Sequence, residues 1–217
     1  MKKRNLIFTI TFLIPGLLLL NACSSSERNN NSIPETNSFT DPRDGKIYKT
    51  VKVGDQWIMA ENLAYKPDKG NYWAYENDTN NAVIYGYLYD WETAMNITPD
   101  GWHLPSRKEW MSIQKKLGVK WNVLSYLEKI YPRLIVGGSS GLDMLFGGMR
   151  TCDGKYIGLG DKARFWTSIH KKDRKACYGL NRIKAGIPDE YGRTRSYIHN
   201  NGYQINCPGY SVRLFMD

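Results

Sequence analysis

The sequence predicts an α+β fold, with short helices gathered in the first half and an irregular antiparallel sheet built mainly from the second. Three observations predict it. Helix-start chemistry is concentrated between Tyr85 and Trp110, apolar residues recur at helical spacing from Trp110 to Ile130, and after Gly137-Gly138-Ser139-Ser140-Gly141 the chain breaks into short β-prone segments bounded by glycines. A chain of 217 residues holds one ordinary domain with a real core.

Residues 1–22 read as a targeting segment. Lys2, Lys3 and Arg4 precede an apolar run from Leu6 to Leu20, which is shorter than the ~20 residues needed to span a bilayer. The sequence Leu20-Asn21-Ala22-Cys23 resembles the lipobox of bacterial lipoproteins, in which the cysteine is lipidated and becomes the new N-terminus. Cys23 is therefore the expected lipidation site, with several acyl chains giving stable anchoring. Residues 23–39 are Ser/Asn-rich and almost without large apolar groups, the composition of a flexible tether, and the domain is expected to occupy 40–217.

The domain opens with a turn, Asp41-Pro42-Arg43-Asp44-Gly45, and then a hairpin from Ile47 to Ala60 that reverses at Gly54-Asp55. Lys66 to Ala82 lacks periodicity and is expected to be an extended loop carrying Tyr72, Trp73 and Tyr75. Within it, Asn77-Asp78-Thr79-Asn80-Asn81 lacks the glycine and distal glutamate of a calcium loop. Asp90 caps a short helix from Trp91 to Asn96, and Pro99-Asp100-Gly101 is a turn. Ser106 stands three residues before Glu109, the spacing of a capping box, so a helix starts at Arg107 and runs to about Leu117, with Gly118 closing it. A third helix is expected from Trp121 to Tyr131, ended by Pro132. LDMLFGGM, KYIGLG, RFWTSI, ACYGLNRI, YQIN and YSVRLFMD are the expected strands.

Removing residues 1–22 takes three basic and no acidic residues from a formal charge of +9, leaving +6, scattered rather than clustered. An exported protein with that distribution is not expected to bind nucleic acid. Cys152, Cys177 and Cys207 allow one disulfide in three pairings, of which Cys177 with Cys207 is favoured because both lie in the strand-rich half. The chain has no Cys/His cluster and only His103, His170 and His199, so no metal site and no cofactor are expected.

DPRDGKIYKTVKVGDQWIMAENL, YGYLYDWETAM, GWHLPSRKEW, GLDMLFGGMR, FWTS and GYSVRLFMD resemble, in order, the blocks of the FISUMP (Fib_succ_major) paralogous domain, a family of bacterial exported proteins. The resemblance covers Phe39 to Asp217. GWHLPSRKEW and the SVR block are also similar to the formylglycine-generating-enzyme-like branch of the C-type-lectin-type folds. That implies a C-type-lectin-like α+β domain with its termini close together. Three departures matter. Leu214 stands where FISUMP members often carry a cysteine, and neither the paired reactive cysteines of the formylglycine-generating enzymes nor the calcium triplets of the lectins are present.

His103 has no Ser or Cys nucleophile placed beside it, and Ser106 is committed to capping, so the histidine reads as a structural hydrogen-bonder. Asp90, Glu92, Glu109 and Asp143 supply carboxylates that would need a defined separation to cleave a glycoside. The aromatic load, fifteen tyrosines and seven tryptophans, favours a non-catalytic reading in which rings left exposed stack on sugars. Trp91, Trp102, Trp110 and Trp166 are assigned to the core. Tyr72, Trp73 and Tyr75 are the candidate ligand-binding residues, with no catalytic, cofactor-binding or metal residues. The expectation is a binding or adhesion module, not an enzyme, lipid-anchored in the cell envelope at the outer membrane, with polysaccharide or an envelope protein as partner. An envelope hydrolase or modifying enzyme using a carboxylate pair and a structural lipoprotein are the alternatives.

Overall fold

Alternation along the predicted hairpin decides the architecture, because apolar residues occupy both faces of its strands. In the computed structural model, which describes residues 33–118, 131–170, 175–181, 197–199 and 208–217, strands β2 (Ile47–Val53) and β3 (Gln56–Met59) pair antiparallel with Thr50 opposite Met59 and Val53 opposite Gln56. Tyr48 and Met59 enter one apolar cluster, while Val51, Val53 and Ile58 enter another on the opposite face. A strand buried on both sides belongs to a sheet that is covered on both faces.

That sheet has the order β1-β2-β3-β12-β6, with β1 at Thr36–Thr40, β6 at Trp102–His103 and β12 at Phe215–Met216. The first and last strands described thus share a sheet. Phe215 faces the cluster with Ile58, and its neighbour Leu214, at the position where a cysteine was noted as missing, is fully buried with Tyr48 and Met59. A second sheet runs β11-β10-β9-β7-β8: β7 (Gly147–Arg150), β8 (Tyr156–Leu159), β9 (Lys162–His170), β10 (Lys175–Asn181) and β11 (Tyr197–His199). A short ribbon pairs β4 (Tyr72–Trp73) with β5 (Leu88–Tyr89). The protein is α+β.

The helices lie where their caps put them. Asp90 accepts the Thr93 N–H and starts α2 (Trp91–Asn96), and Ser106 with Glu109 forms the complete capping box of α3 (Arg107–Lys116). Trp110 and Ile113 of α3 are buried, with Trp110 at 5.0 Å from the Phe215 ring. Trp102 and Trp166 are buried too, and half-buried Trp91 donates its indole N–H to the Thr167 carbonyl, so all four assigned tryptophans pack in the core.

Several expectations need correction. The compact unit begins at Ile33, and Thr36–Thr40 pair with β2, because an extended, hydrogen-bondable edge beside β2 orders even a polar segment. The stretch from Lys66 to Ala82 is not one extended loop. It contains β4, a 3₁₀ turn at Tyr75–Asn77 and the start of α1 (Thr79–Tyr85), whose N-cap Asp78 accepts the Asn80 N–H. Pro132 does not end a helix but lies inside the short α4 (Tyr131–Leu134), near its start, where a missing N–H costs nothing. Of LDMLFGGM only the last three residues are strand, within Gly147–Arg150, and the YSVRLFMD strand is confined to Phe215–Met216 with single bridges at Tyr210 and Ser211. Residues 1–32, with the signal segment and Cys23, the helix predicted to start at Trp121, and YQIN lie outside the described residues. Among the described residues no helix is long and apolar enough to cross a membrane.

The favoured Cys177–Cys207 bridge is contradicted. Cys152 is the disulfide-bonded cysteine, whereas Cys177 is a buried thiol whose pKa burial pushes up to about 11. Arg150, two residues before Cys152, exchanges both backbone hydrogen bonds with Gly209, two residues after Cys207. Peptide mapping without reduction is therefore expected to recover Cys152 linked to Cys207 and Cys177 alkylatable only after unfolding. A cross-linked Cys177 peptide would contradict this arrangement.

Candidate functional site

The turn after β1 sets the first wall of the site. Asp41 is fully buried and takes the Arg43 guanidinium bidentately, Nε to Oδ1 at 2.8 Å and Nη2 to Oδ2 at 2.6 Å, while Nη1 donates to the Ile97 carbonyl at 2.6 Å. Burial alone would raise the Asp41 pKa, but the bonds from Arg43 outweigh it and hold the carboxyl below its ordinary value. The guanidinium so fixed lies 3.8 Å from the Tyr65 ring centroid, a cation–π contact that orients the ring. Tyr65 is held from behind as well, since its carbonyl accepts the Tyr89 hydroxyl at 2.7 Å.

The second wall is the start of α2 and the loop packed on it. Asn71 donates its backbone N–H to Thr93 Oγ1 at 2.8 Å and its amide to Asp90 Oδ2 at 2.7 Å, while its carbonyl accepts the Asp90 N–H at 3.2 Å. Buried Asp90 thus has both oxygens engaged, one by Asn71 and one by the cap of α2. Gly70 lets the loop come this close: its φ is +101°, and a Cβ there would sit 2.3 Å from Thr93 Oγ1.

Between these walls lies an open cavity of about 740 Å³, within the range of small-molecule sites. Tyr65, Asp68, Lys69, Asn71, Glu92 and Asn96 are among its lining residues. One aromatic ring stands among amides, carboxylates and an ammonium, and the framework beneath is fixed before any ligand arrives. Such a lining suits a polar, hydroxyl-rich molecule with one apolar face.

The residues singled out from sequence are only partly here. Asp90 and Glu92 share the cavity. Glu109 is elsewhere, bonded to His103 at 2.7 Å, and Asp143 pairs with Lys49 at 3.0 Å. His103 bonds carboxylates on both sides and lines no part of the cavity.

Tyr72, Trp73 and Tyr75 do not form a common platform. Tyr72 packs edge-on against Tyr87 at 5.2 Å, Trp73 lies under the Arg150 guanidinium at 4.4 Å, and Tyr75 is buried against Tyr156. Adjacent strand residues point to opposite faces, which separates the first two. The residues that do converge, Arg43, Tyr65 and Asn71, come from the turn Asp41-Pro42-Arg43-Asp44-Gly45 and from the start of the aperiodic stretch around Lys66, and neither carries a binding motif.

A family model described as the Fibrobacter succinogenes major domain matches residues 51–214. No curated protein and no solved structure matches the chain.

Because a side chain at position 70 has neither space nor a favourable backbone, Gly70→Ala is expected to destabilise the protein by about 1–3 kcal/mol in urea unfolding. An unchanged midpoint would show that the loop is not held against Thr93.

Proposed function

The chain belongs to the Fibrobacter succinogenes major domain family, and from that premise we propose that it is a non-catalytic binding module of the cell envelope whose ligand is a carbohydrate. The observation that carries the reading is the open cavity of about 740 Å³ with the Tyr65 ring, braced by Arg43, as its one aromatic face. Amides and carboxylates around a fixed ring fit sugar hydroxyls and the apolar face of a pyranose. Asp90, one of the carboxylates lining the cavity, is committed to Asn71 and the α2 cap, which favours binding over catalysis.

In this reading the α+β arrangement is of the C-type-lectin-like kind, supported by the first and last strands described sharing one sheet. Lipidation at Cys23 anchors the module in the outer membrane, where it meets polysaccharide or an envelope protein. 

A glycan array followed by titration calorimetry tests the proposal on the protein and on Tyr65→Ala. The expected result is a specific saccharide ligand whose Kd weakens about tenfold in the folded variant, the loss of one stacking contact, while Tyr72→Ala leaves it unchanged. Turnover of a bound glycan, or no glycan bound by folded protein, would overturn it.

A further inference from the structure

His103 of β6 lies where α3 and the end of β12 meet, and its imidazole stands between two carboxylates. Nδ1 is 2.6 Å from Asp217 Oδ1, and Nε2 is 2.7 Å from Glu109 Oε1. Both are distances of charge-assisted hydrogen bonds. An ionised carboxylate only accepts, so each ring nitrogen must donate, and only the imidazolium has two N–H groups. Neutral histidine would turn one lone pair against a carboxylate.

The two carboxylates are not held equally. Glu109 Oε2 also accepts the Ser106 N–H at 2.7 Å, closing the capping box of α3, so it stays in place whatever the histidine does. Asp217 is the more exposed partner, its side chain 60% accessible, and besides the imidazole it is fastened by its own N–H to the Gly101 carbonyl at 3.0 Å. We infer that His103 is a pH-dependent latch: charged, it ties the end of β12 to β6 and to α3, and neutral, it releases Asp217 while Glu109 stays.

The charged groups facing the ring are Glu109 from α3 and Asp217 from the end of β12, and β12 otherwise presents it with the Phe215 ring, 6.3 Å away. Burial alone would lower the His103 pKa, but the bonds to Glu109 and Asp217 outweigh it and raise it above 6.5. Burial would likewise raise Glu109, and the bonds from Ser106 and His103 outweigh it and keep it below 4.5. A raised histidine contributes stability that is complete below 6.5 and disappears as pH rises through the raised value. A lowered glutamate contributes stability that is complete above 4.5 and disappears as pH falls through the lowered value. The latch is therefore closed from mildly acidic pH up to the raised histidine value and opens on the alkaline side.

The test is an NMR titration of the full chain, with His103→Gln identifying the His103 resonance, together with urea unfolding at stepped pH. His103 is expected to titrate above the ordinary histidine value, with a midpoint about one pH unit lower in Asp217→Asn. The urea midpoint of the parent protein should fall as pH rises through that titration, and the fall should be absent in His103→Gln. A His103 midpoint at or below the ordinary value, or the same pH dependence in His103→Gln, would overturn the latch. Should His103→Gln fail to fold, Asp217→Asn decides alone, since its side chain is exposed and its replacement must move the His103 midpoint down.

Discussion

Arg213 is a guanidinium with no exposure to solvent, and the fold is arranged to satisfy it. Its hydrogen bonds go to four oxygens, none of them a carboxylate: Asn62 Oδ1 at 2.9 Å, the Asp143 carbonyl at 2.8 Å, the Met59 carbonyl at 3.4 Å and the Leu142 carbonyl. Burial pushes its pKa down to about 9, which still leaves it charged at neutral pH. A buried cation without those oxygens would cost several kcal/mol, more than one well-packed apolar side chain returns. Each oxygen must therefore be delivered, and each delivery constrains a different part of the chain. Asp143 takes a left-handed φ of 43° while presenting its carbonyl, and Asn62 turns its amide nitrogen to the Tyr85 carbonyl at the end of α1.

The same constraint reaches the cavity. The segment leaving β3 runs beside the last residues of the chain, with Met59 N–H on the Leu214 carbonyl and Leu63 N–H on the Val212 carbonyl. Tyrosine hydroxyls then brace its continuation. Tyr48 accepts the Ala64 N–H, and Tyr89, whose pKa burial raises, donates to the Tyr65 carbonyl. Tyr65 thus stands at the end of a backbone fixed from Arg213 outward. Tyr48 and Tyr89 thus serve internal bracing, each with its ring in the core and its hydroxyl on a backbone group.

What the sequence disclosed was its punctuation. Asp90, the Ser106–Glu109 box and Gly54-Asp55 act within a few residues of themselves, and the elements they start or reverse appear where they were expected. Strand β1 was hidden because its order comes from pairing with β2 rather than from its own composition. Helix α1 was hidden because Asn80 and Asn81 precede a run of Ala82, Val83 and Ile84 that has no helical period, and Val83 and Ile84 remain exposed. The cavity was illegible for a further reason: Arg43 is held to Tyr65 and, 54 residues on, to the Ile97 carbonyl, and Asn71 is held to Asp90, 19 residues on, and no local pattern announces these pairings.

If Arg213 is the hub, its removal leaves buried oxygens without donors, whatever replaces its volume. The direct measurement is urea unfolding of Arg213→Met beside the parent protein. The account predicts a loss of about 3 kcal/mol or more, the sum expected when several buried acceptors lose one donor. A variant within about 0.5 kcal/mol of the parent would contradict it, and would mean that packing around the side chain, not its hydrogen bonds, holds the sheet together.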